Sequence, residues 1–312
     1  MINRRHIRVK VMQSVYAMIK SNDDNIVKEE KFIKYSINKM FDLYVLLLQL
    51  LVEVQKLAEQ KQEISKKKYL ATKEDLSPNR KFVDNKLIKK LAESASLSLH
   101  IEGQNLNNWS KDDEYVKIIW DKLQKSDLFS TYLNTTEDSY KIDKGFLIDF
   151  FREIVAPSTK LAEYFEDENI TWVDDIPFVN TWVVRSLNKQ KEKSTFTLGS
   201  LYKNQDDQDF VSKLFKKVIL NHHTFENDIK IHTPNWESDR IADMDMILIK
   251  MGACEFLHFP FIPTKVTINE YIEIAKDYSS EKSGYFVNGV LDKLSREFAK
   301  DKKFVKVGRG LL

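Results

Sequence analysis

The chain is poor in residues that make tight turns. Its 312 residues include only eight glycines and six prolines, too few for a sandwich or a doubly wound sheet, and long helices are expected instead. The single cysteine, Cys254, excludes an internal disulfide framework and a thiolate-only metal site. It lies in an apolar helical stretch and reads as a core residue. Excess charge is also lacking. At a formal +2 the molecule is no polycation, and any nucleic-acid surface has to be a local patch. No apolar run reaches the roughly 20 residues that span a bilayer. The most apolar, Leu43 to Val52, is interrupted by Gln49, ends at Glu53 and reads as a buried helix segment. The first residues are Arg4, Arg5, His6 and Arg8 rather than an apolar leader, so a cytoplasmic protein without membrane contact is expected. No H-E-x-x-H is present, and the helix carrying Asp239, Asp243 and Asp245 offers no convergent histidine, glycine-rich loop or nucleophile, so carboxylate catalysis is not expected there. His222, His223 and Glu226 share a helix face, but no further ligand lies at short spacing; neither a metal nor a cofactor is expected.

What the chain does have is helical periodicity, 42% hydrophobic residues and 12% aromatics, enough for a sizeable core and an all-α fold. Helices are expected over residues 3–20, 29–64, 83–99, 111–123, 144–165 (broken or kinked at Pro157), 172–187 and 209–229. Another is expected after Thr233-Pro234-Asn235, with Trp236, Ile241, Met244, Leu248 and Met251 on its apolar stripe. Trp109, Trp120, Trp172 and Trp182 read as core anchors. Lys66-Lys67-Lys68 reads as a solubilising linker run.

Residues 3–20 contain no acidic residue. Ile7, Val11, Val15 and Met18 form an apolar stripe flanked by Arg4, Arg5 and Arg8, with Gln13 and Tyr16 continuing the polar side. A solvated charged face is one reading. However, three arginines at a helix N-terminus oppose the helix dipole, so something other than helix stability is expected to have placed them. Guanidinium forks suit phosphate, and a tyrosine ring suits an unpaired base.

Val266 to Leu294 reads as two helices joined by a polar turn. Ile268, Ile272 and Ala275 line the first, and Phe286, Val290 and Leu294 the second. Thr267 and Glu270 match a capping box, Gly284 reads as the turn residue, and Gly289 suggests close approach of a neighbour. The runs I-N-E-Y-I-E-I-A-K and F-V-N-G-V-L-D-K here resemble the C-terminal signature of the NusB family of transcription antitermination factors. R-R-x-x-R-x-x-x-x-Q-x-x-Y, made by Arg4, Arg5, Arg8, Gln13 and Tyr16, is similar to the start of that family. Trp236, Arg240, Asp245, Ile247, Leu248 and Glu255 stand where it shows a tryptophan-arginine-aspartate pattern before an apolar helix.

The resemblance covers roughly residues 1–20 and 206–298. It implies a NusB-like helical core made of 1–20 plus 206–312, with 21–205 as a helical insertion. It further implies a non-catalytic factor that holds single-stranded boxA-type leader RNA together with NusE, a basic ribosomal protein. That pair would work in a transcription elongation complex with other Nus factors during ribosomal RNA transcription. Arg4, Arg5, Arg8, Tyr278 and Phe286 are the implied RNA-binding residues, and Tyr16 and Asp245 the implied NusE interface. Phe286 also falls on the core stripe, and Lys282 departs from the acidic or polar residue usual in that turn. The family occurs as monomers and dimers, which leaves a homodimer open. The basic tail after Lys293, ending in Gly308-Arg309-Gly310, would add phosphate attraction or be unstructured. A NusB-like domain also occurs in some RNA methyltransferases, but the chain shows no glycine-rich strand-turn-helix, and a cofactor-binding α/β domain is not expected. A scaffold that keeps the fold without RNA binding is the remaining alternative.

Overall fold

The computed structural model describes residues 2–232 and 241–307, and these residues form α-helices with no strand. Helix α1 (Arg4–Ser21) starts at Asn3, whose side chain accepts from the His6 amide, and stops at Asn22 in the left-handed region. The 41-residue α2 (Ile26–Lys66) follows. Then come α3 (Lys73–Leu76), α4 (Lys86–Ala92), α5 (Ala95–Gln104), α6 (Asn108–Lys111), α7 (Asp113–Gln124), α8 (Asp127–Asn134) and α9 (Tyr140–Phe150). A π-helical turn (Phe151–Val155) leads to α10 (Thr159–Glu168) and α11 (Ile176–Lys189). The chain closes with α12 (Gln205–Leu220), α13 (His222–His232), α14 (Asp243–His258), α15 (Thr264–Tyr278) and α16 (Ser283–Lys300).

The chain divides into two compact units. One is Met1–Ile37 with Leu201–Leu312, the other Asn38–Ser200, and the first division falls inside α2.

The 38–200 unit has an aromatic core. Phe82 meets Trp120, Phe129, Phe146 and Phe150, and Tyr132 stacks on Phe146 at 3.8 Å. The four tryptophans expected as anchors are all buried. Trp109 and Trp172 bury their indole N–H groups on the carbonyls of Leu46 and Lys39. Asn85, wholly buried, caps α4 through its Oδ1 and donates from Nδ2 to Tyr132 Oη and the Asp143 carbonyl. Tyr132 Oη donates in turn to Asp143 Oδ1 at 2.7 Å, so the buried polar groups satisfy one another.

In the other unit, α14, α15 and α16 pack mutually, and α1 lies against α12 and α14 with a smaller contact to α15. The expected stripe of α1 is the buried one, and Cys254 sits in the core, where burial holds its thiol well above the usual range.

The structure corrects several expectations. The helix expected over 83–99 is two, because Ser94 caps α5 by accepting from the Leu97 amide while its hydroxyl donates to the Phe196 carbonyl. The helix expected over 209–229 breaks at Asn221, and α8 went unread. Thr267 and Glu270 lie inside α15, past its start at Thr264; Thr267 donates to Glu255 in the core, and Glu270 pairs with Arg5. Gly284 belongs to the first turn of α16, facing Ile272 of α15. Gly289 is exposed; the close approach occurs at Gly252, in the middle of α14. Thr233-Pro234-Asn235, Trp236, Asp239, Arg240 and Gly308-Arg309-Gly310 lie outside the described residues.

A Cβ added at Gly252 would stand 2.5 Å from Leu291 Cδ2. Gly252→Ala should therefore destabilise the protein by roughly 1–2 kcal/mol despite alanine's better helix propensity. In urea unfolding, G252A and L291A should be less than additive when combined, since the second removes the clash.

Candidate nucleic-acid interface

Each of the three α1 arginines has an acidic partner from another helix. Arg8 is only 2% exposed. Its Nε and Nη2 donate to the two oxygens of Glu255 on α14 at 2.6 and 2.9 Å, and Nη1 lies 3.5 Å from Glu270 on α15. Glu255 is fully buried and also accepts from Tyr271 Oη at 2.7 Å and Thr267 Oγ1 at 3.1 Å. The guanidinium lies over the Phe210 and Tyr271 rings. Burial opposes its charge, but Glu255 outweighs burial and holds Arg8 above its ordinary value; burial also pushes the Tyr271 hydroxyl well up. The expectation that Arg8 meets phosphate is corrected: its donors are spent inside the core.

Arg4 and Arg5 stand at the rim, with side chains 38% and 40% exposed. Arg4 uses Nε on Asp207 of α12 at 2.7 Å, leaving its terminal nitrogens. Arg5 uses Nε and Nη2 on Glu270, both at 3.0 Å, leaving Nη1. The Glu270 hydrogen bond is the main reason Arg5 is held above its ordinary value. Both arginines, with Asn3, Phe261, Pro263 and Val266, line an open cavity of about 480 Å³.

Asp245, expected at a protein interface, is 5% exposed. Its Oδ2 accepts from Ser283 Oγ at 2.8 Å, while Oδ1 is buried without a hydrogen-bond partner. It is therefore not a surface charge. Tyr16 is 37% exposed, and the carboxylate facing solvent near it is Asp243, paired with Lys20 at 2.5 Å. Tyr278 and Phe286 are half-buried on α15 and α16 and are not among the residues that line the arginine cavity. Sequence reading missed Phe261, which is 78% exposed between Pro260 and Ile262. An aromatic flanked by prolines beside a basic helix was the available signal.

Near the His222-His223 pair, Glu226 accepts from Lys250 at 2.8 Å and pairs with Lys230 at 3.0 Å. Among the described residues no three His, Cys, Asp or Glu side chains come together as metal ligands. None of the described helices is long and apolar enough to cross a membrane.

The NusB family model matches residues 180–296, which take in α12 to α16. The transcription antitermination protein NusB of Fervidobacterium nodosum is 39% identical over 117 residues, covering 38% of this chain and 82% of the relative. Its namesake from Salinibacter ruber is 40% identical over 105 residues, 34% of this chain and 66% of the relative. That of Chloroherpeton thalassium is 42% identical over 105 residues, 34% of this chain and half of the relative. No solved structure matches the chain.

Two stability tests follow from these ion pairs. Arg8→Met or Glu255→Leu alone should cost about 3–5 kcal/mol, because each strands a buried charge, whereas the double variant should recover most of the loss. Chemical denaturation of all four proteins measures the coupling. The Lys250 hydrogen bond is the main reason the Glu226 carboxyl falls from 4.5 to about 2. A folded value below the unfolded one stabilises the protein above about pH 4.5, and that stabilisation is lost as pH falls towards 2. Glu226→Gln should flatten this acid limb in urea midpoints taken between neutral pH and about pH 3.

Proposed function

The chain belongs to the NusB family, and from that premise we propose that it is a transcription antitermination protein that holds single-stranded boxA-type leader RNA together with NusE. The observation that carries this reading is the state of Arg4 and Arg5. After their ion pairs are made, each keeps guanidinium N–H groups unspent at the mouth of a cavity. Such forks neutralise phosphates, while unstacked bases are read by rings and polar edges. Tyr278 and Phe286 extend the proposed RNA contact along α15 and α16.

For NusE, Tyr16 with Asp243 replaces the pairing of Tyr16 with Asp245. A basic partner needs a carboxylate it can reach, and Asp243 is exposed. Residues 21–205 are proposed as an insertion into the NusB-like core. The protein acts without catalysis, alongside other Nus factors in the elongation complex. One observation favours a scaffold without RNA binding: every α1 arginine has an acidic partner, so the fold alone accounts for all three.

Binding of a boxA-type RNA, with and without NusE and over a range of salt, separates the two readings. The variant is Arg4→Gln/Arg5→Gln, which leaves the buried Arg8 pair intact. Wild type should bind more tightly with NusE and more weakly with salt. Losing two phosphate contacts should make the slope of log K on log salt shallower by about 1.4. A folded wild type that binds no RNA would establish the scaffold instead, and a double variant with unchanged affinity and slope would overturn the assignment of Arg4 and Arg5 to the contact.

A further inference from the structure

A second cavity adjoins the first. It measures about 370 Å³, and its lining includes Arg4, Phe210, Lys213, Lys217, His258 and Phe261. Arg4, Phe261 and Ile262 line both cavities, so the two make one groove that passes Phe261.

The Phe261 ring is exposed because its loop is pinned. Ile262 donates its amide to the Phe259 carbonyl at 3.1 Å, and Val307 donates its amide to the Pro260 carbonyl at 3.0 Å. Lys306 Nζ donates to the carbonyls of Glu255 and Phe259, both at 2.9 Å. Phe259 itself packs edge-on against Phe210 at 5.1 Å. With both neighbours tied inward, Phe261 points to solvent as a ring whose backbone is already ordered, so a ligand would not have to meet that ordering cost.

Among the charged residues that line the groove, the cations Arg4, Arg5, Arg8, Lys213 and Lys217 outnumber the carboxylates Asp206 and Glu270. Lys217 has no carboxylate partner among the described residues, and Lys213 reaches Asp209 only at 3.6 Å while 67% exposed. Asp206 is the one acidic residue lining this cavity. An outward aromatic ring with unspent ammonium groups beside it suits a polyanion that carries flat apolar faces, which describes single-stranded nucleic acid. An acidic peptide would use the charges and leave the ring idle.

We propose that this groove receives a nucleotide flanking the RNA segment held at the α1 rim, with its unstacked base on Phe261 and its phosphate against Lys213 and Lys217. The inference rests on the RNA-binding reading above and adds a second subsite to it.

The test compares a core boxA-type RNA with the same core lengthened by a few nucleotides at each end, one flanking base at a time replaced by the fluorescent analogue 2-aminopurine. Wild type should bind the long RNA about tenfold more tightly than the core and quench the analogue at one flanking position. Phe261→Ala, at an exposed site, should bring the ratio of long-RNA to core affinity close to one and abolish the quenching. Lys213→Ala/Lys217→Ala, which removes one phosphate contact, should make the salt slope for the long RNA shallower by about 0.7 and leave the core slope unchanged. Wild-type binding of the core with no gain from the flanks would overturn the subsite alone. So would a Phe261→Ala protein that binds the long RNA like wild type, or one that loses core and long RNA equally. Failure of wild type to bind either RNA would overturn the RNA-binding reading as well.

Discussion

One carboxylate holds the NusB-like unit together. Glu255, without solvent contact, accepts from Arg8 on α1 and from Thr267 and Tyr271 on α15, while belonging itself to α14. Taking a carboxylate and a guanidinium out of water costs several kcal/mol per ion, recovered only when geometry and the remaining hydrogen bonds are complete. A one-residue slip of α1 would separate the charges and leave both buried. The pair bridges 247 positions of sequence. It therefore acts as a register mark, fixing where the first helix lies against the last three.

That register decides what the other arginines can do. Arg4 is one turn before Arg8, so fixing Arg8 fixes Arg4 over Phe210 beside Asp207. Arg5 is rotated outward to Glu270, which also lies 3.5 Å from Arg8 Nη1. The unfavourable placement of three cations at a helix N-terminus is offset by carboxylates from α12, α14 and α15. The same pairs leave Arg4 and Arg5 held in place with part of each guanidinium still unspent, a condition for recognition without a large ordering cost.

Local periodicity made most helices legible: the α1 stripe, the α15–α16 hairpin and the break near Pro157 are all properties of neighbouring residues. What could not be read were partnerships between distant segments. Nothing local distinguishes Arg8 from Arg5, since the difference lies in a carboxylate 247 residues away. The family resemblance implied Asp245 at a partner interface, yet the first turn of α14 turns it inward to Ser283. Ser94 ended a helix because its hydroxyl had a carbonyl from residue 196 to donate to, a contact that no window of sequence contains.

The basic tail shows how the same residue type serves either the fold or the surface. Sequence offered phosphate attraction or no structure for it, but Lys306 is committed to carbonyls at the C-terminal end of α14, where a helix has acceptors to satisfy and a partial negative charge. Burial lowers it from 10.5 to about 8, so its ammonium is retained at neutral pH despite the enclosure. Arg8 and Lys306 are thus consumed by the architecture, one anchoring α1 and the other tying down the loop that carries Phe261. A count of basic residues would assign both to a ligand. Counting donors after the fold has been satisfied leaves parts of Arg4 and Arg5, together with Lys213 and Lys217, and these line one groove.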